Sequence, residues 1–163
     1  MNVRHGSLLF ACLLGLSLLT GCGTGVPPAA GPPADLNATS SDALGTVVTD
    51  AQGHVLYRFD GDTAQPSVSH CYGQCAELWP PVLAGSSTIT GQGVAQSQVS
   101  ATTREDGSQQ VTLAGWPLYR YAKDTVARQA AGQGMDGRWF AVTPVGGKAS
   151  QAPPSSTSDS GGY

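Results

Sequence analysis

The chain contains an internal duplication, and this feature constrains its fold more than any other. When the sequence is compared with itself at an offset of 62 positions, five positions match in the same order. Five matches at one offset exceed what chance would give, and they indicate two related halves. We therefore expect a compact single domain built from both copies. The matched pairs are Gly53 with Gly115, Leu56 with Leu118, Tyr57 with Tyr119, Phe59 with Tyr121, and Asp62 with Asp124.

Both copies spell Tyr-x-aromatic-x-x-Asp, and a Trp follows each copy downstream. Alternate residues of a strand share a face, so the two aromatic side chains of each copy project together. A carboxylate just after a strand can accept backbone N–H bonds and fix a turn. The favoured interpretation is a structural corner repeated twice. In the alternative, these side chains form a ligand groove for sugar or peptidoglycan strands where the halves meet, although a small domain also needs its aromatics in the core. The motif residues are Tyr57, Phe59, Asp62, Tyr119, Tyr121 and Asp124.

The pattern of the domain indicates a mainly β fold made of two repeats that each contain a β-hairpin. Residues 45–49 and 54–59 are rich in β-branched and aromatic side chains and flank an Asp-Ala-Gln-Gly turn. Residues 99–103 and 110–113 flank a second turn of the same kind. Helical periodicity is missing from every longer window, and only residues 74–78 suit a helical turn.

The N-terminus has the pattern of a lipoprotein signal peptide. Residues 8–19 are largely apolar but too few to span a bilayer, which needs about 20 residues. They end in Leu19-Thr20-Gly21-Cys22, which resembles a bacterial lipobox. We predict that residues 1–21 are removed and that Cys22 carries the lipid that anchors the protein to the membrane. The alternative is an ordinary secretory signal that is cleaved elsewhere.

Composition divides the rest of the chain into three segments. Residues 22–43 hold the lipidated Cys and a stretch rich in Pro, Gly and Ala, which predicts a tether. Residues 44–145 are assigned to the duplicated β domain. Residues 146–163 are rich in Ser, Pro and Gly and are assigned to a disordered tail.

The charge balance argues against a nucleic-acid partner. The 163 residues include 8 Lys and Arg against 11 Asp and Glu, whereas binding to phosphates requires clustered bases. The expected partners are the membrane, through the N-terminal lipid, and an unidentified ligand or protein of the cell envelope. No cofactor is expected.

Cys71 and Cys75 are the two thiols outside the signal peptide and the lipid site. In an extracytoplasmic compartment a pair of cysteines most simply forms a disulfide. The alternative is a copper, zinc or thiol redox site, because His70 places an imidazole beside the two sulfurs. Met135 and His54 are further candidate ligands for such a site.

Motifs typical of enzymes are missing from the sequence. It has no Gly-x-Ser-x-Gly elbow, no phosphate-binding Gly-x-x-x-x-Gly-Lys loop, no His-Glu-x-x-His and no haem-attachment motif. A Cys71 nucleophile with His54 as its base is a further arrangement, which disulfide formation would remove. We therefore predict no catalytic residues and no enzyme activity.

The motifs of residues 44–145 resemble a bacterial family of predicted lipoproteins and secreted repeats with a duplicated Tyr-x-[Phe/Trp/Tyr]-x-x-Asp motif. The resemblance is carried by Leu-Tyr-Arg-Phe-Asp-Gly-Asp, Cys-Tyr-Gly-Gln-Cys-Ala-Glu-Leu-Trp-Pro-Pro, Gly-Trp-Pro-Leu-Tyr and Gly-Gln-Gly. It implies an extracytoplasmic protein of the bacterial envelope and no particular reaction. We therefore predict a membrane-anchored lipoprotein that acts as a non-catalytic interaction or structural module, with a metal-handling or thiol redox lipoprotein as the alternative.

Overall fold

The computed structural model describes residues 36–85 and 88–150, so the predicted signal peptide and Cys22 lie outside the described residues. The described part is mainly β, which confirms the predicted fold class. Its one α-helix, α1, spans Gln74–Leu78, where the sequence indicated a helical turn. Short 3₁₀ turns occupy Gln96–Gln98 and Met135–Gly137. The strands are β1 Leu36–Ser41, β2 Gly45–Thr49, β3 Tyr57–Phe59, β4 Thr63–Ala64, β5 Ser67–Val68, β6 Gly91–Gln92, β7 Val99–Thr103, β8 Gln109–Leu113, β9 Trp116–Pro117 and β10 Trp139–Ala141.

The two halves begin with equivalent hairpins and are joined by pairings between halves. In the first half β1 pairs antiparallel with β2, and β6 adds to β1 in parallel. In the second half β7 pairs antiparallel with β8, and β9 follows on the other side of β8. The β7–β8 hairpin has the bounds that the sequence predicted to within one residue. Strand β3 of the first half pairs with β10 of the second half, so neither half closes its sheet alone.

The first predicted hairpin forms only in part. The turn after β2 is present, because the backbone N–H of Asp50 donates to the carbonyl of His54 at 3.0 Å and Thr49 bridges Val55. The main partner of β2 is β1, however, and not the segment that follows the turn. Beyond Leu56 the chain leaves β2 to pair with β10, because its aromatic side chains are buried between the halves.

The folded region is longer than the predicted 44–145. Strand β1 lies within the stretch assigned to the tether, and its first residue, Leu36, is fully buried. The remaining β1 residues are small and polar, so they read as a linker, yet their backbone groups pair with β2 and β6. At the other end, Ala149 is buried and Lys148 bridges Val142, so the assigned tail begins too early.

The core consists of two clusters of different character. An aliphatic cluster packs Leu36, Val48, Val111 and Leu118 against their neighbours from both halves. An aromatic cluster contains the motif tyrosines, their neighbouring aromatics and Cys71. Both clusters contain residues from each half, so the core side chains of one half are buried by contacts with the other. Within residues 36–85 and 88–150, no helix is long and apolar enough to cross a membrane.

Candidate functional site

Tyr57 and Tyr119 pair with each other where the two halves meet. Each backbone N–H donates to the carbonyl of the other tyrosine at 2.9 Å. Both side chains are fully buried. The first residue of each motif copy is therefore a contact between copies.

The tyrosine of each half donates its hydroxyl to the aspartate of the opposite half. Tyr57 donates to Oδ2 of Asp124 at 2.5 Å, and Tyr119 donates to Oδ2 of Asp62 at 2.7 Å. We call these two bonds the crossed tyrosine–aspartate pairs. The other carboxylate oxygen of each aspartate accepts a backbone N–H, from His70 at 2.7 Å or from Ala131 at 2.9 Å. Each aspartate thus fixes its own turn and holds the other half.

Burial sets the ionisation of the crossed pairs. It raises the pKa of Asp62 and Asp124 above the usual carboxyl value, and the hydrogen bonds from tyrosine hydroxyls and backbone N–H groups oppose that shift. Burial also raises the pKa of Tyr57 and Tyr119 well above the usual phenol value, and the partner carboxylates raise it further. The tyrosines therefore stay protonated and act as hydrogen-bond donors.

The remaining motif aromatics form a stack that also crosses between halves. Trp79 and Trp139 are parallel with ring centroids 3.9 Å apart. Phe59 stacks on Trp139 at 4.2 Å, and Tyr121 lies 4.4 Å from Trp79. All four rings are buried, so they cannot form the open ligand groove that was the alternative interpretation of the motif.

A buried arginine, which the sequence analysis did not identify, supports one of the crossed pairs. Arg104 donates through Nη1 to Oγ of Ser69 at 2.7 Å and to Oε1 of Gln110 at 2.6 Å. Oγ of Ser69 lies 2.8 Å from the hydroxyl of Tyr119, whose own proton goes to Asp62. The chain of bonds therefore runs from the guanidinium through Ser69 and Tyr119 to the carboxylate. No sequence motif marks Arg104, because its partners come together only in the fold.

Cys71 and Cys75 form a disulfide, which confirms the favoured prediction. Their Cα atoms are 5.3 Å apart, and the bond closes the turn that leads into α1. The carbonyl of Cys71 accepts a hydrogen bond from Nη2 of Arg104 at 2.8 Å. This bond links the disulfide-bonded segment to the second half of the domain.

The alternative metal site loses its two thiolates to this bond, because a disulfide sulfur has no thiolate charge to offer a metal. Nδ1 of His70 lies 3.9 Å from Oδ1 of Asp62, and its side chain is half exposed. Met135 packs against the aromatic cluster, as does Cys75. The residues that the structure describes contain no group of three or more His, Cys, Asp or Glu side chains arranged to hold a metal.

His54, the other candidate ligand or base, belongs to a separate ionic group. Its Nδ1 lies 3.4 Å from Oδ2 of Asp50, whose side chain is fully buried. Nε of Arg120 lies 2.6 Å from the same oxygen. Oδ1 of Asp50 accepts the backbone N–H groups of Gln52 and His54, so the carboxylate organises the turn after β2. Since the sulfur of Cys71 is bonded to that of Cys75, Cys71 offers no thiol nucleophile for which His54 could act as the base.

Comparison with known families matches each half separately. A family model described as a secreted repeat of unknown function matches residues 38–83 and 100–143, together more than half of the chain. Each match contains one copy of the tyrosine–aspartate motif. The two matches confirm the resemblance that the motif carries. No curated protein and no solved structure matches the chain.

Proposed function

Because the chain belongs to the family of secreted repeats of unknown function, we propose that it is a lipid-anchored module of the bacterial cell envelope that acts by binding or spacing and not by catalysis. Membership of a family of secreted repeats supports a location outside the cytoplasm. The lipid anchor, the envelope partner and the absence of catalysis are the proposed part.

The observation that carries this proposal is the internal use of the motif. The tyrosine hydroxyls and aspartate carboxylates, the groups best suited to acid–base chemistry, donate to and accept from each other in the core. Groups that are paired and buried cannot reach a substrate without unfolding their own support. The duplicated motif therefore stabilises the fold of the domain, and its polar groups are not available for a reaction.

Rigidity also suits an exposed envelope module. The staple at Cys71 and Cys75 and the bonds of Arg104 tie the loop after β5 to the second half. A domain held in this way resists local opening, which is where proteolysis begins. The Pro-, Gly- and Ala-rich residues before β1 would let the domain stand clear of the membrane.

Fatty-acid labelling in a bacterial host tests the anchor. Wild-type protein should incorporate labelled fatty acid, and Cys22→Ser should abolish both the label and cleavage after Gly21. Cys12→Ser is a matched control, because Cys12 lies in the apolar stretch that would be discarded, and it should label like the wild type. A labelled Cys22→Ser protein would show that the lipobox interpretation is wrong.

Protease protection tests the location of the anchored domain. In cells whose outer layers have been made permeable but whose cytoplasmic membrane is intact, added protease should remove the tether and release a domain of about the described size. Full protection of the chain until the cytoplasmic membrane is lysed would contradict an extracytoplasmic module.

A further inference from the structure

A surface pocket between the two halves lies away from the crossed pairs and the disulfide. It is a broad, open depression of about 420 Å³, a volume comparable to that of small-molecule sites. One wall is the turn and strand of the β4–β5 arm, and the other is the β7–β8 hairpin. Its polar lining residues are Gln65, Ser67, Ser97, Gln98, Ser100 and Thr112.

The walls of the pocket are fixed by contacts of the fold. Ser100 and Thr112 are directly opposed across β7 and β8, so their side chains share one face. The hydroxyl of Thr102 donates to the carbonyl of Ser67 at 2.7 Å and holds the arm over that face. At the arm's other end Gly115 packs so closely that a Cβ there would overlap the carbonyl of Ala64. The site is thus preformed.

The lining is neutral and rich in groups that both donate and accept hydrogen bonds. It contains four hydroxyls, two carboxamides and no acidic, basic or imidazole side chain. An anion would find no cation in this lining, and a metal ion would find no carboxylate, imidazole or thiolate. Ala101, Ala114 and Gly115 complete the lining and add apolar surface to it.

Two polar atoms at this site have unmet hydrogen-bonding capacity. Oγ of Ser67 and Oε1 of Gln98 are buried without a hydrogen-bond partner among the described residues. Leaving a buried polar atom unpaired costs free energy that a bound hydroxyl would recover. Both residues line the pocket, and a bound hydroxyl would meet either atom after rotation about a side-chain torsion.

We propose that this pocket binds a neutral saccharide. Sugar hydroxyls donate and accept as the lining does, and the C–H groups of a sugar ring suit the apolar part of the lining. The inference rests on the proposed function, because a domain outside the cytoplasm would be exposed to the glycans of the cell envelope. The shared chemistry is a neutral hexose unit, with or without an acetamido group.

Ligand-observed NMR on the purified full chain tests this with two probes, chitotriose, which carries acetamido groups, and cellotriose, which does not. We expect saturation transfer from the protein to at least one of them. The double variant Ser67→Ala/Gln98→Ala should weaken binding about tenfold, since each lost hydrogen bond contributes a few-fold. The two substitutions remove no hydrogen bond within the described residues, so the melting temperature should not fall.

Two further variants keep the result decisive. Ser100→Phe places a ring into the pocket from an exposed position in β7 and should abolish binding. Ser40→Ala, a control at an exposed position of β1, should bind like the wild type. Binding of neither sugar overturns the proposal, as does sugar binding that survives both pocket variants. Binding of a neutral Ser/Ala peptide without either sugar also overturns it. Lipid labelling at Cys22 can succeed or fail independently, so the two proposals are separable.

Discussion

Removing a single hydroxyl tests the crossed pairs most directly, and Tyr119→Phe is the sharpest case. The substitution keeps the ring and its edge-to-face contact with Trp139, whose centroid lies 5.2 Å away. It deletes the bond to Asp62 at 2.7 Å and the contact with Ser69 at 2.8 Å. Any loss of stability is therefore a loss of hydrogen bonding and not of packing.

The expected magnitude follows from which partners survive. Asp62 keeps the backbone N–H of His70, and Ser69 keeps the guanidinium of Arg104. Neither group is left wholly unpaired, so the cost is that of a hydrogen bond to a charged acceptor, about 2 kcal/mol. In a domain of roughly 100 residues this lowers the melting temperature by about 8 °C. Tyr57→Phe should cost a similar amount, because Asp124 keeps the N–H of Ala131.

Urea unfolding followed by circular dichroism measures these free energies of unfolding. The control is Tyr72→Phe, whose hydroxyl accepts a surface bond from the N–H of Glu105 at 3.2 Å and should contribute less than about 0.5 kcal/mol. If Tyr119→Phe and Tyr57→Phe unfold at the wild-type urea concentration, the crossed pairs do not stabilise the domain and the reasoning fails.

Three other perturbations follow from the same contacts. The double variant Cys71→Ser/Cys75→Ser should lower the free energy of unfolding by about 2 kcal/mol, the value that the chain-entropy model gives for so small a loop, as measured by thermal unfolding. Stoichiometric copper or zinc in the native protein that is missing from this variant would contradict a purely structural disulfide. Gly115→Ala should lower the free energy of unfolding by about 2 kcal/mol more than Gly107→Ala in the same assay. Both glycines have positive φ, but only at Gly115 would a Cβ overlap a carbonyl, that of Ala64. Equal losses for the two variants would show that this overlap does not occur. The raised pKa of Tyr57 and Tyr119 means that the contribution of their hydroxyls to stability is full below about pH 10 and is lost as pH rises further, since the unfolded chain then ionises first. Phenolate absorbance from these two residues should appear only with unfolding, and the double variant Tyr57→Phe/Tyr119→Phe should lack this part of the fall.

The sequence predicted well those elements whose signals are local. The β7–β8 hairpin, the helical turn at Gln74–Leu78 and the disulfide each depend on neighbours in the chain. The family resemblance likewise rests on short contiguous motifs. Period-two alternation and turn chemistry are sufficient for such elements, because the residues that stabilise them are close together.

The elements that the sequence did not predict depend on distant partners. Strand β1 carries a single large apolar residue, Leu36, and its pairing with β6 becomes visible only when the sheet is complete. Arg104 has only an exposed local partner, Asp106, whose carboxylate gives no sign that the arginine is buried. Its buried acceptors come from Ser69, Cys71 and Gln110. The crossed tyrosine–aspartate pairs were not predicted, because two copies of one motif suggest that each tyrosine pairs with the aspartate of its own copy.

A pair of double-mutant cycles separates crossed from self-contained corners. Tyr57→Phe combined with Asp124→Ala removes both ends of one bond across the halves, whereas Tyr57→Phe combined with Asp62→Ala pairs residues of the same half that share no bond. The first cycle should show a coupling of about 2 kcal/mol in urea unfolding, because a tyrosine hydroxyl left without its acceptor costs free energy that its deletion recovers. The second should show less than about 0.5 kcal/mol, the value expected for sites without a shared partner. The reverse order would mean that each copy pairs with its own aspartate, and the duplication would then be two independent corners and not one interlocked core.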